Sequence, residues 1–215
     1  MRVVVHDPIE CLQAESSMPV CLIMSGGAWR TNFFLGLVEY LQTKFTDAEL
    51  SGWAFCGLSG GAFYALALAV NMPHAKLKAL VLHCADEGRG HLFGVTGRGA
   101  NGPLGNMIKG VLDFVPEDEL VRRTRGRFAL TFTRLVCGKP TAFQATDFQS
   151  RAELWEAMFG SGNVPILTDI RSLWFNCFQV QGHVALDGGL TYRGQMPILP
   201  SCIPIYAMCC GAEED

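Results

Sequence analysis

Uninterrupted apolar runs predict the strands of this chain, and apolar residues at helical spacing predict its helices. The runs 20–24 and 53–57 lack charged residues, which is typical of strands that are covered on both faces. Segment 32–45 repeats its apolar residues at intervals of three and four, as an amphipathic helix does. The apolar run 60–70 predicts a buried helix directly behind the second strand.

The rest of the chain continues this alternation. We predict helices over 74–85, 104–114, 117–124 and 151–159, and strands over 128–136, 141–146, 184–187 and 203–209. A turn at 137–140 joins two of these strands as a hairpin. Strands separated by helices predict an α/β domain with a largely parallel sheet.

A glycine-rich segment interrupts the pattern. Residues 87–102 hold six glycines and few apolar groups, a composition that predicts a mobile loop. The apolar face of the next helix consists of Leu104, Met107, Ile108, Val111 and Leu112. Together, residues 87–115 form either a lid or membrane-contacting insertion, or a helix that simply packs on the core; the sequence leaves both open.

Composition narrows the class of protein. A chain of 215 residues with 49% hydrophobic residues predicts one domain with a full core, and a net charge of −3 provides no electrostatic footprint for nucleic acid. Nine cysteines without a Cys-x-x-Cys pair favour a reducing, intracellular setting. Charge and proline near the start argue against a signal peptide, and no apolar run is long enough to span a membrane.

The most informative motif is Gly-x-Ser-x-Gly at Gly57, Ser59 and Gly61. Glycines two residues before and after a serine give room for the sharp turn of a nucleophile elbow, from which the serine hydroxyl projects. A serine that merely caps the following helix is the alternative. The strand before the motif and the helix after it favour the elbow.

Two further segments carry candidate chemistry. In segment 20–36 an apolar strand leads into Gly26 and Gly27, whose N–H groups are candidate oxyanion-hole donors, and then into Arg30 and a helix. An ordinary strand-to-helix turn, followed by a solvated arginine on the helix surface, is the alternative. In segment 184–190, Asp187 ends an apolar run and precedes two glycines. Asp187 is the candidate base for Ser59, although an aspartate that only opens a Gly-Gly turn is the alternative.

In this order, the three motifs resemble the patatin-like phospholipases over about residues 20–210. Segment 126–134 is also similar to the animal triacylglycerol-lipase (adiponutrin-like) branch. The resemblance implies a three-layer α/β/α fold with a mostly parallel central sheet, preceded by a lead-in at 1–19 and followed by an acidic tail at 211–215. It implies a lipid acyl hydrolase that needs no cofactor.

The resemblance also implies roles for individual residues. Ser59 attacks the ester carbonyl and Asp187 takes its proton, while Gly26, Gly27 and Ala28 form the oxyanion hole. Arg30 matches the basic residue of the family and would bind a phosphate or carboxylate group. Here the chain departs from the family pattern, because Ala28 and Thr31 stand where glycines are usual.

Two alternatives follow. If position 28 needs a positive φ, alanine is strained there and the protein is a catalytically impaired module that binds lipid or a partner. A conventional triad would instead use His183, with Asp147 or Asp169 as its acid. No histidine follows Asp187, and His74, His83 and His91 lack metal-ligand spacing.

We therefore expect a lipid ester as substrate, no metal, and no nucleic acid as partner. We expect the protein in the cytoplasm, peripherally bound to membranes or lipid droplets. Whether the lipid is a phospholipid or an acylglycerol is not encoded in these motifs.

Overall fold

A computed structural model of the chain describes residues 19–89, 101–164, 168, 178–191, 197, 199 and 202–208, with the backbone alone for residues 28 and 29. The predicted lead-in at 1–19 falls outside the described residues except for Pro19, and the tail at 211–215 falls wholly outside them.

Seven strands of this described part form one mixed sheet. In chain order they are β1 (Val20–Met24), β2 (Ala54–Leu58), β3 (Phe128–Val136), β4 (Lys139–Thr146), β5 (Gln179–Val180), β6 (His183–Leu186) and β7 (Ile203–Ala207). Hydrogen-bonded neighbours follow the path β5-β6-β3-β2-β1-β7, and β4 also pairs with β3. Strands β3, β2, β1 and β7 are parallel, whereas β4 and β6 run antiparallel to β3. This confirms the α/β fold with a central sheet of mostly parallel strands.

The helices occupy the connections between these strands. They are α1 (Phe34–Lys44), α2 (Asp47–Ser51), α3 (Gly60–Ala69), α4 (His74–Arg89), α5 (Pro103–Leu112), α6 (Glu117–Thr124) and α7 (Arg151–Ser161). A 3-10 helix, Ala28–Phe33, leads directly into α1. Local sequence explains several starts, since Thr46 and Glu49 form a capping box ahead of α2 and Pro103 occupies the first turn of α5.

The sheet buries both of its faces, as a three-layer arrangement requires. Strands β1 and β2 are buried along their whole length, and their side chains alternate between two apolar clusters. Leu22 and Phe55 belong to the larger cluster, which also holds the buried side chains of the helices. Ile23 and Cys56 belong to the smaller cluster on the opposite face.

Strand β3 brings the ends of two other strands together. On one edge it pairs with β4 over Ala129–Val136, so β2 and β6 share the other edge. Leu58 at the end of β2 pairs with Thr131, and Leu186 at the end of β6 pairs with Thr133. Because β2 and β6 run in opposite directions, their carboxyl ends meet at this point of the sheet.

The structure corrects several predicted bounds. The first helix begins at Phe34 rather than at 32, and the sequence patterns missed α2 and β5. The loop predicted for 87–102 is wrong at its start, because α4 continues through Arg89. Residues 90–100 of that predicted loop lie outside the described part.

The apolar face of α5 belongs to the core. Met107, Ile108, Val111 and Leu112 are all buried there, and the helix packs between α4 and α7. The membrane-contacting alternative for this face is therefore wrong in this conformation, and the core alternative holds. None of the helices in the described ranges is long and apolar enough to cross a bilayer.

Candidate active site

Ser59 stands at the sharp turn between β2 and α3. Its backbone has φ 52° and ψ −132°, a left-handed conformation that is rare for a residue with a side chain. Although Ser59 occupies the N-cap position of α3, its side chain makes no capping hydrogen bond. The hydroxyl is therefore not used to begin the helix, which argues against the capping alternative.

The two glycines of the motif are required by close packing. A Cβ on Gly57 would lie 2.6 Å from the main-chain nitrogen of Ala62, and one on Gly61 would collide with the carbonyl oxygens of Met24 and Ser25. Real Cβ atoms do not approach main chain so closely, so only glycine fits at either position. The turn thereby packs against the end of β1.

Asp187 follows β6 and is 7% exposed. Its Oδ1 accepts a 2.7 Å hydrogen bond from the N–H of Gly189, so this oxygen does open the Gly-Gly turn. Its Oδ2 is buried and has no hydrogen-bond partner among the described residues. One oxygen is thus structural, while the other is available to accept a proton.

Ser59 and Asp187 are neighbours. Burial raises the pKa of the Asp187 carboxyl, and the Ser59 hydroxyl and the Gly189 N–H act in the opposite direction. The packing agrees, because a Cβ on Gly188, next to Asp187, would lie 3.3 Å from the Cβ of Leu58, next to Ser59. The hydroxyl forms no hydrogen bond of normal geometry with Oδ2. Such a loose contact is usual for catalytic pairs without substrate.

The glycine loop after β1 runs against Ser59. A Cβ on Gly26 would lie 3.0 Å from the Cβ of Ser59 and 2.7 Å from Cδ1 of Leu58. Gly27 precedes the 3-10 helix, and Ala28 is its first residue. The first N–H groups of a helix have no partner within it, so this segment offers donors beside Ser59.

Ala28 is not strained in the way the sequence pattern left open. As the first residue of a 3-10 helix it has a helical backbone, and it is absent from the described non-glycine residues with positive φ. Arg30 lies in the same helix with an exposed side chain, and no carboxylate in the described ranges forms an ion pair with it. Its guanidinium is available to an anionic ligand.

Among the described residues, the structure does not bring the members of a conventional triad together. His183 is exposed at the beginning of β6, about 13 Å along the strand from Asp187 at about 3.3 Å per residue. Asp147 accepts hydrogen bonds from the Gly126 N–H and the Thr146 hydroxyl instead of meeting a histidine. Asp169 lies outside the described residues.

Two buried residues at the end of α7 contact this site and carried no sequence signal. The Ser161 hydroxyl accepts a 2.9 Å hydrogen bond from the Ser59 N–H. The carbonyl oxygen of Asn163 accepts a 2.8 Å hydrogen bond from the Asp187 N–H. Ser161 looked like one more small residue after an apolar helix, and its contact with Ser59 spans 102 positions.

Comparison with known proteins identifies the family of this chain. The sequence profile of the patatin-like phospholipases matches residues 22–199. The chain belongs to that family. The match does not separate branches within the patatin-like phospholipases, so the adiponutrin-like assignment stays a prediction. No curated protein sequence matches the chain.

One solved structure similar to this patatin-like chain is full-length SpcU in complex with full-length ExoU from the type III secretion system of Pseudomonas aeruginosa. The matched chain is 16% identical with a TM-score of 0.42. The match covers 74% of this chain and 40% of that one, so the present chain spans less than half of the matched protein.

A cavity of about 690 Å³ lies away from Ser59 and Asp187 in this patatin-like domain, between α5, α6 and α7. Lys109, Arg151 and Trp155 are among the residues that line it, whereas Ser59 and Asp187 are not. Elsewhere in the described part, no three His, Cys, Asp or Glu side chains cluster as metal ligands. The groups that the described part of the chain places at Ser59 are its own hydroxyl, the Asp187 carboxyl and main-chain N–H groups.

Proposed function

We propose that the protein is a serine acyl hydrolase that cleaves carboxylic ester bonds of lipids, with Ser59 as nucleophile and Asp187 as general base. One observation carries the proposal. A serine held at positive φ, with no capping role, lies beside a buried carboxyl whose second oxygen lacks a partner in the described part of the chain. Membership of the patatin-like phospholipases supports a lipid substrate.

Acylation uses the dyad directly. Asp187 Oδ2 accepts the hydroxyl proton as Ser59 Oγ bonds to the ester carbonyl carbon, whose C=O electrons move to oxygen. The N–H groups of Gly26, Gly27 and Ala28 stabilise this oxyanion. The carbonyl re-forms as the bond to the alcohol breaks, and the leaving alkoxide takes the proton from Asp187.

Deacylation reverses the roles. Asp187 removes a proton from water, and the resulting hydroxide attacks the acyl-enzyme. The second tetrahedral intermediate collapses, the Ser59 oxygen regains the proton, and a fatty acid leaves. An acceptor alcohol in place of water would make the same site an acyltransferase.

The raised pKa of Asp187 fits this role. An ordinary aspartate, with a pKa of about 3.9, is too weak a base to withdraw a serine proton efficiently. Burial raises the pKa and makes the carboxylate a stronger base. The Gly189 hydrogen bond to Oδ1 limits that rise and orients the carboxyl.

Arg30 extends the proposal to the polar end of the substrate. Its exposed guanidinium follows the oxyanion segment and can form charge-assisted hydrogen bonds with a phosphate or carboxylate. An anionic phospholipid would use it, whereas a neutral acylglycerol would not. We further propose that the protein acts in the cytoplasm at a membrane or lipid-droplet surface, where such lipids are presented.

The competing function is a catalytically impaired module that binds lipid or a partner. Its support in the sequence is Ala28 and Thr31, which stand where glycines are usual. Both residues lie in a 3-10 helix, whose backbone any residue adopts, and this weakens the argument from strain. The same module would need neither the conformation of Ser59 nor the vacant Oδ2 of Asp187. We therefore favour the hydrolase.

Fluorophosphonate labelling tests the proposal. Purified protein should incorporate the probe at Ser59 and release fatty acid from a panel of phospholipids, triacylglycerols and lysolipids. Ser59→Ala should abolish both while circular dichroism and thermal unfolding stay close to wild type. Labelling of the wild type at another residue, or fatty-acid release by Ser59→Ala, would contradict the assignment.

A further inference from the structure

We infer that the three-residue segment Ser161–Asn163, at the end of α7, is a positioning element that sets the geometry between Ser59 and Asp187. The inference rests on the proposed function, because it assigns these residues an effect on the same dyad. Neither side chain is offered as a catalytic group. Ser161 contacts the main chain of Ser59 through its hydroxyl, and Asn163 contacts the main chain of Asp187 through its own carbonyl oxygen.

Ser161 forms a hydrogen bond with the main chain of the proposed nucleophile, Ser59. Its hydroxyl accepts the hydrogen bond from the Ser59 N–H and donates a 2.7 Å hydrogen bond to the carbonyl oxygen of Thr131. Ser161 is fully buried, so water does not replace either bond if the hydroxyl is removed. The strained turn is thereby tied to β3 at the residue that pairs with Leu58.

Asn163 holds the base two residues later. Its carbonyl oxygen accepts the Asp187 N–H, and its side-chain amide donates a 2.9 Å hydrogen bond to the carbonyl oxygen of Ala185. Its Oδ1 accepts a 2.6 Å hydrogen bond from the Thr168 hydroxyl. Asn163 is 3% exposed, and both its main chain and its side chain form hydrogen bonds at the end of β6.

The two contacts matter together. Ser59 and Asp187 follow different strands whose ends meet on β3, and no covalent link fixes the gap between them. A short buried segment that bonds to the main chain of both residues limits their relative movement. Reacting groups that shift by about 1 Å can lose about 100-fold in rate, so a positioning element of this kind should act on kcat.

The experiment compares Ser161→Ala and Asn163→Ala with wild type and with a matched control. Thr124→Val removes a fully buried hydroxyl that donates a 2.9 Å hydrogen bond to the Leu120 carbonyl, on a helix that contains neither dyad residue. Each variant is titrated with a fluorophosphonate to count reactive serines. The kcat per titrated serine and KM are then measured on p-nitrophenyl butyrate.

Positioning predicts a fall of about 10- to 100-fold in kcat per titrated serine for Ser161→Ala, with little change in KM. Asn163→Ala keeps the carbonyl that accepts the Asp187 N–H but removes the side-chain bonds that hold this carbonyl in place, so its kcat should fall by about tenfold. Thr124→Val should reduce only stability and keep the wild-type kcat. If Ser161→Ala does not fold, Ser161→Cys, which retains the volume with a weakly hydrogen-bonding thiol, is measured in its place.

An unchanged kcat per titrated serine in a folded Ser161 variant would overturn the inference, even if fewer serines titrate. That result would mean that the residue supports only the fold. It would leave the proposed function intact, provided that the wild type labels at Ser59. Absence of labelling at Ser59 in the wild type would instead reject the proposed function itself.

Discussion

Thr133 donates a 2.9 Å hydrogen bond from its hydroxyl to the main-chain carbonyl oxygen of Asp187. Thr133 is fully buried, and its oxygen also lies 2.8 Å from the Thr191 hydroxyl. Because the bond uses the carbonyl of Asp187, it fixes the residue to β3 without occupying the carboxyl. Oδ2 therefore remains available to Ser59.

Replacing Thr133 with valine should lower both stability and activity. The shape is nearly retained, but the buried Asp187 carbonyl loses a donor, at a cost of about 1–3 kcal/mol in the free energy of unfolding. Urea unfolding followed by fluorescence measures this cost, and ester hydrolysis measures the loss of kcat.

Thr43→Val is the control for the hydroxyl. Thr43 also donates to a main-chain oxygen, that of Glu39, but on the exposed surface of α1. Water can replace that bond, so the free energy of unfolding should change by less than about 0.5 kcal/mol. Equal changes in the free energy of unfolding at the two positions would show that the Thr133–Asp187 hydrogen bond stabilises the protein no more than an exposed one does.

The two glycines of the serine motif provide a second prediction. Gly57→Ala and Gly61→Ala each place a Cβ against main chain that cannot move away, so each should destabilise by more than about 1–3 kcal/mol or prevent folding. Gly36→Ala is the matched control, because no atom lies within 4 Å of its added Cβ on helix α1. It should stabilise by about 0.5–1 kcal/mol. Thermal unfolding of the three variants distinguishes these outcomes.

The local part of the site could be predicted from the sequence. The turn at Ser59 depends on residues within two positions of it, and its flanking strand and helix are continuous apolar runs. Glycine at 57 and 61 is a strong signal because close packing admits nothing larger. Asp187 could be predicted only from the order of the three motifs along the chain. Its neighbour Ser59 is distant in sequence, and the two residues come together because β2 and β6 both pair with β3.

Two features of the structure could not be predicted from the sequence, and each has a physical reason. An amphipathic helix has the same pattern whether its apolar face meets lipid or a protein core, so the face with Met107 and Val111 left both alternatives open. Ser161 follows a helix whose apolar pattern ends at Phe159, and small polar residues at helix ends are common. Its hydrogen bonds to Ser59 and Thr131 appear only in three dimensions.

The burial of α5 gives a third prediction. Met107→Asp combined with Val111→Asp should unfold the protein or cost more than about 4 kcal/mol, because two charges would enter the core. Leu82→Asp is the control on α4, where the side chain is 54% exposed and the change should cost less than about 0.5 kcal/mol. A folded double variant that only loses binding to phospholipid vesicles would restore the membrane-contacting alternative.

The pH dependence of stability follows from Asp187. Its folded-state pKa is raised by burial, so the folded state holds the proton more tightly than the unfolded state. The stability that this proton contributes is complete below the unfolded pKa of about 3.9 and is lost as pH rises through the folded-state pKa. Asp187→Asn, which carries no charge, should therefore be more stable than wild type at pH 7, and the difference should shrink towards pH of about 4.

Urea unfolding of both proteins across this pH range tests the sign. Asp118→Asn is the control. Asp118 is exposed in the first turn of α6, where its negative charge interacts favourably with the helix dipole. That variant should lose about 0.3–1 kcal/mol at pH 7 instead of gaining stability. A wild-type protein that is more stable than Asp187→Asn at pH 7 would mean that the ionised carboxylate is favourably bound.

The last prediction is that catalysis uses Ser59 and Asp187 without a histidine. In a dyad the carboxylate carries the proton itself, so Asp187→Asn should be nearly as inactive as Ser59→Ala, and the double variant little worse than either. His183 lies at the far end of β6, and His183→Ala should keep kcat/KM within about tenfold, or about 1.4 kcal/mol in the barrier. A triad would instead lose several orders of magnitude with its histidine, because that residue would be the proton acceptor. Rates on a short-chain nitrophenyl ester decide between them: near-complete loss in His183→Ala, with Asp187→Asn still active, would replace the dyad by a conventional triad.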